Sequence, residues 1–180
     1  MKTKIFACFP ETGKTYACRM HSDKVKELNS KFYYFTEDHE YLFHEKYIRD
    51  LEKLIGTVEI ILIDTNLKIL DELNKRGIEF SYILPDLKML DQIMIGHNEY
   101  GKRKLIDLYN KLCTSYVHFD HYLDSTNGRK SLITNENVKG SEGQFAQLVK
   151  LSTTDIKLSE VYFLKKGESV NIFLEKNSLV

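Results

Sequence analysis

With 180 residues, 42% hydrophobic and 29% charged, the chain has the size and composition of one globular domain able to build a three-layer core. Lys+Arg and Asp+Glu number 26 each, so bulk charge supports neither a polynucleotide nor an anionic membrane as partner. Cys8, Cys18 and Cys113 lack paired or zinc-type spacing and read as reduced thiols. No apolar run reaches membrane-span length and no signal-type apolar region follows the Lys-containing start, so a cytoplasmic protein is expected.

The first element is a short apolar strand from Lys4 to Phe9. From Lys14 to about Ser30, Ala17, Met20, Val25 and Leu28 fall roughly on one helical face, which predicts a helix. Phe32-Tyr33-Tyr34-Phe35 is dense in β-formers and predicts a second strand, followed by an acidic turn from Thr36 to Glu40. A helix is expected from His44 to Ile55 on the stripe Tyr47, Ile48, Leu51, Leu54 and Ile55, ended by Gly56. Val58 to Asp64 holds four consecutive aliphatics, the pattern of a parallel strand buried on both faces.

A helix from Leu67 to Lys75 stops at Arg76-Gly77, and Ile78 to Leu84 reads as a strand closed by Pro85-Asp86. Helical pattern runs from Leu87 to about Ile95, breaks around Gly96 to Gly101 and returns from Lys104 to Leu112. The stretch from Asp124 to Gly143 is polar and unpatterned, as in a long loop. Val161 to Leu164 reads as a last strand; Ser169 to Leu174 is a short helix or the second arm of a hairpin, the helix being favoured. Alternating strands and helices predict an α/β fold with a mostly parallel sheet flanked by helices in three layers. It forms a single domain over 1–180, with 113–157 a lid or insertion.

The chemistry concentrates at Phe9-Pro10-Glu11-Thr12-Gly13-Lys14-Thr15-Tyr16. A strand enters a turn ending in Gly-Lys-Thr and a helical pattern follows, the context of a phosphate-binding loop. Pro10, Glu11, Thr12, Gly13, Lys14, Thr15 and Tyr16 would surround the phosphates of ATP. Gly13 allows a tight turn around an anion, Lys14 supplies a mobile positive charge for the β- and γ-phosphates, and the Thr15 hydroxyl suits Mg²⁺. The pattern G-x-x-x-x-G-K-S/T has Cys8 at its first glycine. Asp64 ends a buried strand as a Walker B carboxylate does and is the second expected metal residue. Glu37 and Asp38, after the expected second strand, read either as carboxylates that contact a sugar hydroxyl or an acceptor phosphate's metal shell or act as a base, or as a solvated turn.

These segments resemble the P-loop nucleoside and nucleoside-monophosphate kinases, especially the small, divergent proteins of bacterial viruses and prophages. Phe9 to Thr15 is similar to that group's Phe-Pro-Gly-x-Gly-Lys-Ser/Thr loop, Glu37-Asp38 to its acidic motif, and Phe163-Leu164-Lys165-Lys166-Gly167-Glu168 to its last strand and turn. The resemblance covers roughly 1–112 and 158–175 and implies ATP- and Mg²⁺-dependent phosphoryl transfer to a nucleoside or its monophosphate, with Lys14, Asp64 and Asp38 in the reaction. It also implies a lid arginine, but Tyr100 stands at the matching position, which leaves Arg103 or Arg129 for that role. Glu11 stands where the loop of that group has glycine.

These departures keep a second reading open, a nucleotide-binding regulatory or host-interaction protein of weak or no activity on the same fold, with a protein partner. Oligomeric state stays open. His118 and His121 lack a third ligand and read as ordinary histidines rather than metal ligands. The aromatics from Phe32 to Phe35 and from Tyr41 to Phe43 read as core rather than a base-stacking surface.

Overall fold

The computed structural model describes residues 2–33, 40–116 and 161–180. The chain divides into two compact units, one formed by residues 1–84 with 168–180 and the other by 85–167. In the first unit, strands β1 (Lys4–Cys8), β2 (Val25–Leu28), β3 (Ile60–Asp64) and β4 (Ser81–Pro85) lie in the order β2-β3-β1-β4. All three pairings are parallel: Lys4 to Cys8 on Ile60 to Asp64, Phe6 to Cys8 on Ser81 to Ile83, and Val25 to Leu28 on Ile60 to Ile63. Ile60 to Ile63 and Ala7 are at most 1% exposed, because this sheet centre is covered on both faces.

Helices α1 (Lys14–Met20), α2 (Glu40–Leu54), α3 (Leu67–Lys75) and α6 (Val170–Lys176) also belong to this unit. Tyr47 on α2 is fully buried and its hydroxyl donates to the Leu28 carbonyl at 2.9 Å, fixing the helix to the end of β2. Phe173 on α6 meets Phe6 edge to face at 5.9 Å between ring centres. α3 starts at Asn66, whose side chain accepts the Lys68 and Ile69 amides, and ends with Gly77 at φ 66. Arg76 joins α2 to α3 by ion pairs to Glu45, Glu52 and Glu72. The α/β class with a parallel sheet and packed helices agrees with the alternation in the sequence and is compatible with three layers.

The second unit contains α4 (Leu87–Ile95), α5 (Glu99–Tyr116) and β5 (Val161–Leu164). Asp86 caps α4 through the Met89 amide at 2.8 Å, and its own amide donates to the Leu164 carbonyl at 2.8 Å. Tyr109 is fully buried and donates to the Pro85 carbonyl at 2.8 Å. No helix among the described residues is long and apolar enough to cross a membrane.

The structure corrects several sequence expectations. The helix expected from Lys14 to Ser30 ends at Met20, and Val25 to Leu28 is a strand. Val25 and Leu28 are buried against β3, whereas Met20, placed on the expected apolar face, is 55% exposed. Phe32 and Tyr33 belong to a 3₁₀ turn, Ser30–Tyr33, and Phe32 is 72% exposed, so neither is a strand residue and Phe32 is not core. Ile78 starts no strand because its amide closes the α3 C-terminus on the Leu73 carbonyl at 3.0 Å. α5 starts at Glu99 rather than Lys104 because the Asn98 side chain accepts the Gly101 amide at 2.9 Å and caps the first turn. After Gly167 the helix is formed, with Ser169 as its cap. The expected loop 124–143 and the histidines at 118 and 121 lie outside the described residues, as does most of 113–157.

Candidate phosphate site

Cys8 and Asp64 end adjacent parallel strands as register partners. Loops leaving such strand ends share one edge of the sheet, the edge at which α/β folds build ligand sites. Residues 9–13 follow β1, Thr65 and Asn66 follow β3, and Asn29 and Ser30 follow β2.

The loop after β1 is held by its own backbone. Phe9 is fully buried and its amide donates to the Ile83 carbonyl at 3.0 Å. Thr12, 1% exposed, donates its hydroxyl back to the Phe9 carbonyl at 2.6 Å. Glu11 at φ 62 and Gly13 at φ 90 both take the left-handed region. Glycine does so freely, but a residue with a Cβ pays about 1–2 kcal/mol there. Left-handed residues in a turn are the backbone type from which anion-cradling concavities are made. Glu11 therefore keeps a glycine-like conformation at the position where the sequence lacks glycine.

Lys14 opens α1, half-buried, and exposed Thr15 follows it. The Thr15 hydroxyl donates to Glu27 Oε1 at 3.2 Å, and Asn29 Nδ2 reaches the same oxygen at 3.5 Å. Asp64 is engaged differently. Its Oδ2 accepts the Ser30 amide at 2.6 Å and its Oδ1 the Asn66 amide at 3.3 Å. Burial pushes the Cys8 thiol from 9.0 up to about 12; Lys14 pulls it down, while Glu27 and Asp64 push it further up. The charges of Lys14, Glu27 and Asp64 are thus felt at the end of β1. Thr65, next to Asp64, is 3% exposed and its buried hydroxyl has no hydrogen-bond partner among the described residues.

The first unit therefore gathers Pro10, Glu11, Thr12, Gly13, Lys14 and Thr15 with Asp64 around the ends of β1 and β3. Tyr16, the next residue of α1, is 57% exposed. Glu37, Asp38 and Arg129 lie outside the described residues. Arg103 is an exposed residue of α5 in the other unit, where its charge acts on Glu99. Tyr100 is 67% exposed and carries the Lys104 ammonium 4.5 Å from its ring centre.

Glu27 is the residue that sequence reasoning missed. Its signal is the four-residue run Val25-Lys26-Glu27-Leu28 before Asn29, which a longer helical pattern overlays. Thr15, Glu27 and Asp64 offer hard oxygen donors, the kind that Mg²⁺ accepts alongside phosphate oxygens and water. Among the described residues, no group of three or more His, Cys, Asp or Glu could hold a metal ion. Comparisons of the chain with protein-family models, with curated proteins and with solved structures find no match.

Proposed function

We propose that the chain is a P-loop phosphotransferase of the nucleoside and nucleoside-monophosphate kinase type, binding ATP with Mg²⁺ and passing the γ-phosphoryl to a small nucleoside or nucleotide. One observation carries this reading. Lys14 and Thr15 directly follow a self-closed loop with buried Thr12 and two left-handed residues, with Glu27 bonded to Thr15 and Asp64 at the end of the neighbouring strand. Phosphoryl transfer needs such a cradle, a cation for the β- and γ-phosphates and an oxygen ligand for the metal.

In this reading the loop from Pro10 to Gly13 surrounds the phosphates and Lys14 neutralises them. Thr15 would be the protein's ligand to the metal, and Asp64 would orient its water shell. Mg²⁺ brought with the nucleotide would supply positive charge against the transferring phosphoryl. The resemblance would put Glu37 or Asp38 at the acceptor and asks for a lid cation, which Tyr100 does not supply.

The test is coupled ADP release over a panel of nucleosides and (deoxy)nucleoside monophosphates, for wild type and Lys14→Ala. At least one acceptor is expected to stimulate release, and Lys14→Ala to abolish it. If no acceptor stimulates the wild type, phosphoryl transfer is lost as a reading. Glu11, an extra carboxylate in the loop, favours the second reading, a nucleotide-binding regulatory protein. Calorimetric ATP binding without turnover selects it.

A further inference from the structure

The carboxylates of Glu27 and Asp64 accept hydrogen bonds that differ in kind. A hydroxyl has one proton to give and lone pairs to offer a cation. Thr15 gives its proton to Glu27 Oε1 at 3.2 Å, which turns its lone pairs away from that carboxylate. Asn29 Nδ2 approaches the same Glu27 oxygen at 3.5 Å and holds the acceptor from the other side. Asp64, by contrast, spends one bond from each oxygen on backbone. The Ser30 amide at 2.6 Å and the Asn66 amide at 3.3 Å tie the end of β3 to the turn after β2 and to the cap of α3.

We infer that Glu27, rather than Asp64, is the carboxylate that positions Thr15 for Mg²⁺ and lends the metal its charge, while Asp64 braces the strand ends. This rests on the proposed ATP·Mg²⁺ site. Glu27 is a positioning residue, acting on the metal through the threonine hydroxyl. Partners of this kind typically govern metal affinity by 10–100-fold.

The experiment measures binding of a fluorescent ATP analogue in Mg²⁺ and in EDTA, with thermal melts, for wild type, Glu27→Gln, Asp64→Asn and Thr15→Val. Wild type is expected to bind more tightly with Mg²⁺. Glu27→Gln keeps a group that can accept from Thr15 but removes the charge. It should lose about tenfold or more of the Mg²⁺ enhancement while binding in EDTA is unchanged or tighter. Asp64→Asn should keep the enhancement and melt at lower temperature.

In a Thr15→Val background, Glu27→Gln should cost little further enhancement, since the hydroxyl that couples them is gone. The opposite split, with Asp64→Asn losing the enhancement and Glu27→Gln keeping it, overturns the assignment. Wild type that binds the analogue equally with and without Mg²⁺ also overturns it and leaves the phosphate site standing. No binding in either condition removes both. Should Glu27→Gln fail to fold, Thr15→Ser against Thr15→Val carries the test. Retention of the Mg²⁺ enhancement by Thr15→Val then contradicts the role.

Discussion

The Val170 amide donates to the Thr12 carbonyl at 2.9 Å. Val170 is the first residue of α6 and Thr12 a buried residue of the loop after β1, so this helix holds the loop by backbone. Ser169 adds a side-chain wall: a Cβ placed on Gly13 would lie 3.4 Å from its Cβ. The φ of 90 at Gly13, rather than lack of space, is what asks for glycine there.

Val170→Pro probes that bond with little harm to the helix. Proline is well tolerated at the first helical position, and Ser169 is already extended, as a residue before proline prefers. Val170→Ala is the control for lost packing. We expect Val170→Pro to lose about 1 kcal/mol more than Val170→Ala in chemical denaturation and to bind ATP more weakly. Equal stability and affinity for the two variants would show that the bond contributes nothing.

Glu11→Gly should stabilise the protein. Its backbone sits at φ 62, where a Cβ costs about 1–2 kcal/mol. Part of that gain is offset by the greater freedom of glycine in the unfolded chain. The same change removes a negative charge from the loop, so ATP affinity should rise. A lower melting temperature together with unchanged affinity would show that Glu11 makes a contact worth more than its strain.

Cys8 should be inert where Cys18 reacts. Burial holds the Cys8 thiol up to about 12 and at 0% exposure, whereas Cys18 is half-buried. Iodoacetamide at pH 8.5 should alkylate Cys18 in the native protein and reach Cys8 only after unfolding. The raised value has a sign for stability as well. Below 9.0 the thiol is protonated in both states and its contribution is complete. Above that the unfolded chain releases the proton first, so stability falls as pH climbs from 9.0 toward about 12. Cys8→Ala should flatten the alkaline slope of a denaturation series, whatever its offset at neutral pH.

Thr65→Val should raise stability. The Thr65 hydroxyl is buried without a partner among the described residues, and leaving such a group unpaired costs about 1–3 kcal/mol. Valine fills the same volume without the polar atom. For a chain of this size each kcal/mol is worth about 2–4 °C of melting temperature. A fall in melting temperature would mean that the hydroxyl is satisfied in solution.

The elements that sequence reading recovered are those whose pattern is local and redundant. β3 shows itself as a run of aliphatics, α3 by its stop at Arg76-Gly77, and α4 by a helical pattern after Pro85-Asp86. The loop from Pro10 to Thr15 was legible because glycine, lysine and threonine each do something few other residues can. β2 was not legible. Four residues hold too little alternation to compete with a helical period, and what makes Val25 to Leu28 a strand is β3, far along the chain. The loss of β2 hid Glu27, since a glutamate assigned to a helix between lysines reads as solvated. The 3₁₀ turn at Ser30–Tyr33 was hidden for a related reason. Its aromatics suggested a strand, but Tyr33 instead packs edge to face on Tyr47 and donates to Asp50.

The hold of Val170 on Thr12 also sets an order of assembly. β1 emerges early in synthesis, yet it must wait for β3 and β4 before its two edges are paired, and its loop waits longer still. The carbonyl of Thr12 meets its donor only when α6 leaves the ribosome. The backbone hold on the loop after β1 is thus completed only after the strands on both sides of β1 have been made.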